Sequence, residues 1–329
     1  MATRSLLAQD YPADRFEIIV VDNGSTDGTL ARVRSLAQEA TGKVNLTYTR
    51  EDRHGLVFAR HTGAALAKGE VLLFGDDDAV FDGNWISAVV DVYLDHPEVG
   101  AVGTRIEVRW DSPPQAWVHS YEGVLGKLDC GSKTIVQTGL QVNGGSFAIR
   151  KDILRQVHGF NPGQRGDYIV GDSETGLCRK LASAGIPVGW TPAATMWHLQ
   201  RAQVNGTLGD LKRRYRNNGI CDAYHATYYG WRTYQVAIDA WQKTYRVLRR
   251  CLRAICKNGR ERRGYDVALQ LSYYFHYLKY LWLYRFDREI RNEVMSRDWE
   301  FTENYRTPSV VHVLCHHEHS SEVNVRPTT

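Results

Sequence analysis

Phe16–Val21 (FEIIVV) is a nearly unbroken apolar run, the pattern of a strand covered on both faces. It stops at Asp22-Asn23-Gly24-Ser25-Thr26-Asp27-Gly28, a cluster of turn formers. Apolar positions then recur at helical spacing at Leu30, Val33, Leu36 and Ala37. Asn45–Tyr48 predicts a second strand, and Val57–Ala67 a helix with small residues along one side. Glu70–Phe74 (EVLLF) predicts a third strand that runs directly into Gly75-Asp76-Asp77-Asp78. Trp85–Leu94 predicts a helix closed by His96-Pro97, and Val99–Val108 a fourth strand. Strands and helices alternating at this interval predict an α/β domain with a largely parallel sheet, whose ligands gather at the carboxyl ends of the strands. Two of those ends carry carboxylates, Asp22 and Asp76 to Asp78.

The pattern changes near Asp210. Residues 211–263 hold 14 Lys/Arg against 3 Asp/Glu, and 234–286 read mostly as helix. Ile238, Trp241, Tyr245, Leu248, Leu252 and Ile255 form one apolar stripe at steps of 3 and 4, with Arg246, Arg249, Arg250, Arg253 and Lys257 largely off it. The expected organisation is therefore an α/β domain over 1–210, a basic, aromatic-rich helical region over 211–307, and a short mobile tail over 308–329. A basic amphipathic stretch with aromatic anchors suits an anionic membrane surface, or it packs on the domain before it with its arginines solvated. Cys315-His316-His317-Glu318-His319 offers metal-type ligands, but in a polar tail without a scaffold.

Composition narrows the class. A 329-residue chain, 43% hydrophobic and 24% charged, is not collagen-like, mucin-like or wholly disordered, and suggests about two domains. The net charge of +4 is too small to argue for nucleic acid. Six cysteines without a C-x-x-C pair, and no leader-like segment, point to reduced thiols and a cytoplasmic protein, peripheral at the inner membrane face if the basic helices are interfacial.

Three consecutive aspartates after a buried strand repel one another unless something positive binds there. Mg2+ takes oxygen ligands, typically one or two carboxylates together with substrate phosphates. The plain alternative is a solvated acidic turn ahead of the Trp85 helix.

Five segments, in order, resemble the family 2 glycosyltransferases, enzymes of the GT-A fold. They are EIIVVDNGSTDGT at 17–29, ARHTGAALAKGEVLLFGDDD at 59–78 (with His61 where Asn is usual), HPEVGAVG at 96–103, NGGSFAIRKDILRQVHGFN at 143–161 and GDSETGLCRKLASAGIPVGWTPAATMWH at 171–198. The resemblance covers about residues 8–220. It implies a metal-assisted, inverting transfer of sugar from a nucleoside-diphosphate sugar, UDP-type favoured, to an acceptor hydroxyl, with Mg2+ or Mn2+ as cofactor.

On that resemblance Asp22, with Asn23 beside it, would accept from the N–H of a uracil-like base, and Arg60 would neutralise donor phosphate or hold Asp22. Asp76 and Asp77 would face the donor, Asp76 at the ribose, and Asp78 would bind the metal. Gly144, Gly145 and Ser146 lie in the segment expected against the donor sugar and acceptor. Asp172 and Glu174 are the candidates for general base, Asp172 preferred, although the Glu that usually precedes the Asp is Gly171 here and Arg179 falls one position late. Both acids also suit the first turn of a helix. His198 matches a histidine near the metal or diphosphate, or is a core residue. Arg213 and Arg214 align weakly with a diphosphate-contacting segment.

Relatives usually begin with a strand that this chain lacks at its N-terminus, since it starts inside the helix around Ser5. Ser309–Leu314 (SVVHVL) is the unassigned strand-like run that could take the vacant sheet position. The absence makes a non-catalytic nucleotide- or membrane-binding relative the main rival. A dinucleotide oxidoreductase is disfavoured, because no G-x-G-x-x-G follows a strand.

Overall fold

The computed structural model describes residues 1–39, 44–163, 171–229, 233–257, 260–307 and 311–315. A short helix α1 (Ala2–Leu6) leads into β1 (Glu17–Asp22), α2 (Thr29–Glu39), β2 (Asn45–Arg50) and α3 (Leu56–Leu66). Then come β3 (Val71–Gly75), β4 (Ala79–Phe81), α4 (Trp85–Asp95) and β5 (Ala101–Trp110). A 3-10 stretch over Ala116–Leu125 precedes β6 (Ile135–Thr138), β7 (Ser146–Arg150), α5 (Lys151–Gln156), α6 (Ser173–Ser183) and β8 (Pro187–Gln200). The rest is α7 (Ala202–Asn205), α8 (Leu208–Tyr228), α9 (Thr233–Lys257), α10 (Arg260–Phe286), α11 (Arg288–Met295) and β9 (Val311–Cys315).

The strands form two sheets, β1-β2-β9 and β3-β7-β5-β8-β4, with β6 also on β8. The pairing is mixed rather than largely parallel. Among the described residues, only β1 with β2 and β5 with β8 run parallel, while β7, β4, β6 and β9 all pair antiparallel. Of the apolar run at 309–314, residues 309 and 310 lie outside the described residues, and 311–314 lie in strand β9, which adds to β2 on the edge away from β1. It therefore occupies an outer edge and fills no place between β1 and the larger sheet. The tail expectation is corrected accordingly for 311–315; residues 316–329, with most of the Cys-His-His-Glu-His run, lie outside the described residues.

Trp190, Phe147, Ile149 and Phe160 are fully buried between the larger sheet and Leu177 and Leu181 of α6, with Trp299 and Phe301 closing the same core. The basic region is a helical unit. Ile220, Ala223 and Tyr224 of α8 pack on Tyr277 and Tyr284 of α10 and Val294 of α11.

Candidate active site

Gly75 ends β3, and a Cβ there would lie 2.4 Å from the Phe81 ring. Only a glycine lets the chain fold straight back into β4, and the turn so made consists of Asp76, Asp77 and Asp78. Strand β4 pairs with β8 so that Ala79 faces His198, and the Leu199 N–H donates to the Asp78 carbonyl at 2.8 Å. Register thus brings the third aspartate to the histidine.

One ligand atom each of Asp76, Asp78 and His198 lie within 4.8 Å of one another. The His198 Nδ1–H donates to the Leu125 carbonyl at 2.8 Å, which turns Nε2 to Asp78 Oδ2 at 3.2 Å. Burial disfavours charge on His198, but its hydrogen bond with Asp78 and that carboxylate's charge outweigh it, so its pKa is raised. Burial likewise pushes Asp78 up, yet the bond to His198 and the imidazole's charge bring it below the usual carboxylate range. Asp76 goes the other way: burial lifts it, against the pull of Arg60 and with Asp78 and Glu174 adding to the rise. Two carboxylates that repel and an oriented imidazole are a donor set that fits a divalent cation.

Arg60, on α3, joins this group to the acids of α6. Its guanidinium lies 3.6 Å from Asp76 Oδ1 and 3.4 Å from Glu174 Oε2, donates to the Gly144 carbonyl at 3.2 Å and sits 4.9 Å over the Phe160 ring. A Cβ on Gly144 would come 2.6 Å from Arg60 Nη2, and one on Gly145 3.0 Å from Asp76 Oδ2. The two glycines are what lets guanidinium and carboxylate reach this depth. Arg60 does not hold Asp22.

Asp172 and Glu174 are treated differently by the fold. The Asp172 carboxylate is 1% exposed, takes Asn161 Nδ2 at 2.6 Å and Arg179 Nη1 at 2.9 Å, and would collide with any side chain at Gly176. Glu174 is 27% exposed, and although burial pushes its carboxyl up, the Arg60 charge and hydrogen bonds bring it below the ordinary range. Ser173 between them adopts φ +41°, a strained left-handed backbone for a residue with a Cβ. Both acids line a cavity of about 640 Å³, whose lining also includes Lys243, Arg246 and Arg250 of α9 and Tyr273 of α10.

The other expected residues are distributed unevenly. Asp22 stands at the end of β1, buried, accepting from the Tyr48 hydroxyl at 2.6 Å and the Ser25 N–H at 2.7 Å. Burial raises its carboxyl, and those hydrogen bonds bring it below the ordinary value. Asn23 spends its amide on the loop before α3, donating to the Glu51 and Arg53 carbonyls and accepting from the Gly55 N–H. Asp77 is exposed at the turn. Ser146, expected at the donor, instead points inward: its hydroxyl accepts from Trp85 Nε1 at 2.8 Å and meets Thr104 Oγ1 at 2.6 Å. Arg213 and Arg214 both pair with Asp210, and the charge of Arg214 reaches Asp78.

Several contributors carried no usable signal in the sequence. Leu125 supplies the carbonyl that orients His198, at the end of the 3-10 stretch where Gly126 takes φ +102°. Asn143 accepts from the Gly145 N–H at 2.9 Å, and Asn161 fixes Asp172. A glycine after an apolar pair or an asparagine beside two glycines reads as a turn; only the partner across the fold gives it a task.

Residues 2–158 match the family model for Glycosyl transferase family 2. Glycosyltransferase AglE from Haloferax volcanii is 35% identical over 218 residues, which span 63% of this chain and 67% of AglE. Glucosyl-dolichyl phosphate glucuronosyltransferase from the same organism is 26% identical over 182 residues, 54% of this chain, and the match spans only 56% of that relative's length. Among solved structures, the mannosyltransferase PcManGT from Pyrobaculum calidifontis, in complex with GDP-Man and Mn2+, shares the fold at TM-score 0.57 and 21% identity over 85% of this chain and 82% of that one. The architecture is accordingly the GT-A fold, with helices appended at its C-terminal side. With the match to AglE covering two thirds of that protein and the family model spanning β1 to β7, the turn of aspartates and α3, the chain belongs to glycosyl transferase family 2.

Proposed function

We propose that the protein moves a sugar from a nucleoside-diphosphate sugar to an acceptor hydroxyl with inversion at the anomeric carbon, assisted by Mg2+ or Mn2+. The observation that carries this is the convergence of Asp76, Asp78 and His198 within 4.8 Å, beside the Arg60 guanidinium that also bonds Glu174. Those three residues would hold the cation, which when bound neutralises charge on the departing diphosphate. Arg60 adds a buried positive charge already fixed by Gly144 and Phe160, so none of its orientation is spent as the leaving group's charge grows. Asp22 accepts from the Tyr48 hydroxyl and from the backbone and side chain of Ser25, which leaves capacity among the roughly four acceptor positions of a carboxylate for a ring N–H of a uracil-type base.

A base must reach the hydroxyl it deprotonates. Exposure favours Glu174 over Asp172, reversing the order preferred from the sequence. In this reading the acceptor enters by the 640 Å³ cavity and gives its proton to Glu174. Its oxygen bonds to the anomeric carbon as the bond from that carbon to the β-phosphate oxygen breaks, and nucleoside diphosphate leaves.

Calorimetry of UDP and UDP-sugars with Mn2+ tests the donor site. Asp78→Ala, at an exposed turn, should weaken Mn2+-dependent binding by at least about tenfold; unchanged affinity would refute the assignment. Metal-dependent release of nucleoside diphosphate from the donor would separate a transferase from a relative that only binds.

A further inference from the structure

The helical unit exposes an apolar face that the transfer reaction does not use. On α9, Ile238, Trp241, Tyr245, Leu248 and Leu252 are 51–69% exposed. On α10, Leu271, Phe275, Leu278, Trp282 and Phe286 are 41–66% exposed. Ile255, the sixth member of the α9 stripe, lies outside the residues whose side chains are described. At about 100° per residue the α9 stripe is centred roughly 140° from buried Val247, and the α10 stripe roughly 120° from buried Gln270.

These two stripes share one side of the molecule. Arg250 bonds Gln270, Thr244 bonds Tyr274 and Asp239 bonds Tyr277, so the order reverses between the helices and they are antiparallel. Rotation in the same sense from that shared seam, on two antiparallel helices, turns both stripes to the same side. Asp222 of α8 is bonded by Lys243 and Tyr273, which come from the other side of the seam. The joint apolar face is therefore directed away from α8.

Its surround is basic. Arg249 and Arg253 on α9 and Lys279 and Arg285 on α10 are exposed and have no carboxylate partner among the described residues. Residues 211–263 carry 14 Lys/Arg against 3 Asp/Glu. A second copy on this face would oppose like charge to like charge, whereas a surface of anionic headgroups matches both the apolar centre and the cationic rim. Trp241, Tyr245 and Trp282, exposed within this face, are residues suited to the headgroup level. No helix among the described residues is long and apolar enough to cross a membrane, so these helices would lie in the interface. We propose that the common face of α9 and α10 docks this chain on an anionic lipid surface. The inference stands apart from the sugar-transfer reading, since none of the exposed apolar and basic side chains assigned to the lipid surface lines that site.

The full chain should co-sediment with vesicles of phosphatidylcholine containing about one third phosphatidylglycerol, more weakly with phosphatidylcholine alone, and less as salt rises. The double substitution Trp241→Ser and Trp282→Ser should lower the bound fraction at least about tenfold with an unchanged melting temperature, because both side chains already face solvent. Arg249→Glu with Lys279→Glu should abolish the preference for anionic vesicles. Equal sedimentation of wild type and the Trp variant would overturn the proposal. So would a wild-type dimer that the Trp variant dissolves without any vesicle binding, which would make this a self-interface. Donor binding measured on the same variants should be unchanged, so failure here leaves the donor site untouched.

Discussion

His61 is neutral by construction of its surroundings. It is fully buried, its Nδ1–H donates to the Trp299 carbonyl at 2.9 Å, and its Nε2 accepts from the Phe160 N–H at 2.8 Å. No position around the ring can take a second proton, and burial brings its pKa down to about 3. In the unfolded chain the imidazole titrates near its ordinary 6.5. Below that value the unfolded state binds the extra proton and the folded state does not, so stability falls as pH drops from about 6.5 towards 3. Between pH 7 and pH 5 the loss from this one group is about 2 kcal/mol. His61→Asn, which cannot titrate, should show an unfolding free energy from urea titration that falls less over that interval by this amount, whatever its overall stability. An identical slope in both proteins would place the acid sensitivity elsewhere. Asp172 and Glu174 invite the parallel comparison. Glu174→Gln should stay folded with a modestly lowered melting temperature, since it uncharges the partner of buried Arg60, keep donor affinity and lose turnover by a factor of about 100 or more. Asp172→Asn should lower the melting temperature, because it uncharges one side of a buried pair with Arg179. A stable Asp172→Asn protein without turnover, beside an active Glu174→Gln, would return the base to Asp172.

Helix α8 meets α10 backbone to backbone. A Cβ at Gly219 would lie 2.3 Å from the Tyr273 carbonyl oxygen and 3.1 Å from the Tyr277 nitrogen. Helix propensity alone favours Ala there by about 1 kcal/mol, but neither backbone can yield without parting the helices. Gly219→Ala should therefore destabilise by a net of about 1–3 kcal/mol. Gly264→Ala on α10, where nothing lies within 4 Å, should be neutral or stabilising by up to about 1 kcal/mol. Denaturant midpoints of the two variants check the sign, and a stable Gly219→Ala would mean the helices can separate freely. The same scale marks what the sequence could and could not disclose. The apolar runs of β1 and β3, the helical spacing of α2 and α4 and the long stripe of α9 follow from local periodicity, and each appears close to its expected bounds. Strand partners do not. β7 is buried on both faces, so no alternation shows which way Ser146 points, and the three-residue β4 is too short to have a period. β9 is a plain apolar run whose place beside β2 is set by residues more than 250 positions away. The carboxylates of the site were legible as charges at strand ends. That Arg60 serves Asp76 and Glu174 rather than Asp22, and that Asp172 is sealed by Asn161 and Arg179, depends on side chains meeting across α3, α6 and the loop before it.

At the scale of the molecule, the proposed cation site would add a further tie between elements that a short ladder already joins. Asp76 and Asp78 belong to the β3–β4 turn and His198 to the long β8, and just three residue pairs connect β4 to β8. His198 bonds the Asp78 side chain, Leu199 its carbonyl, and Arg60 lies beside Asp76, while the two carboxylates repel. A divalent ion that binds only the folded chain must then stabilise the whole of it, by about 2.7 kcal/mol at a free concentration one hundred times its dissociation constant. For a chain of this size that corresponds to a rise in melting temperature of several degrees. Mn2+ should produce this rise in the wild type and EDTA should reverse it. Asp78→Asn should respond to neither. It also loses the repulsion with Asp76, so its metal-free melting temperature should lie near that of the wild type. If Mn2+ raises both proteins equally, the ion binds somewhere other than Asp76, Asp78 and His198, and the β3–β4 turn has to be understood as an acidic turn held by Arg60, His198 and the β4–β8 ladder.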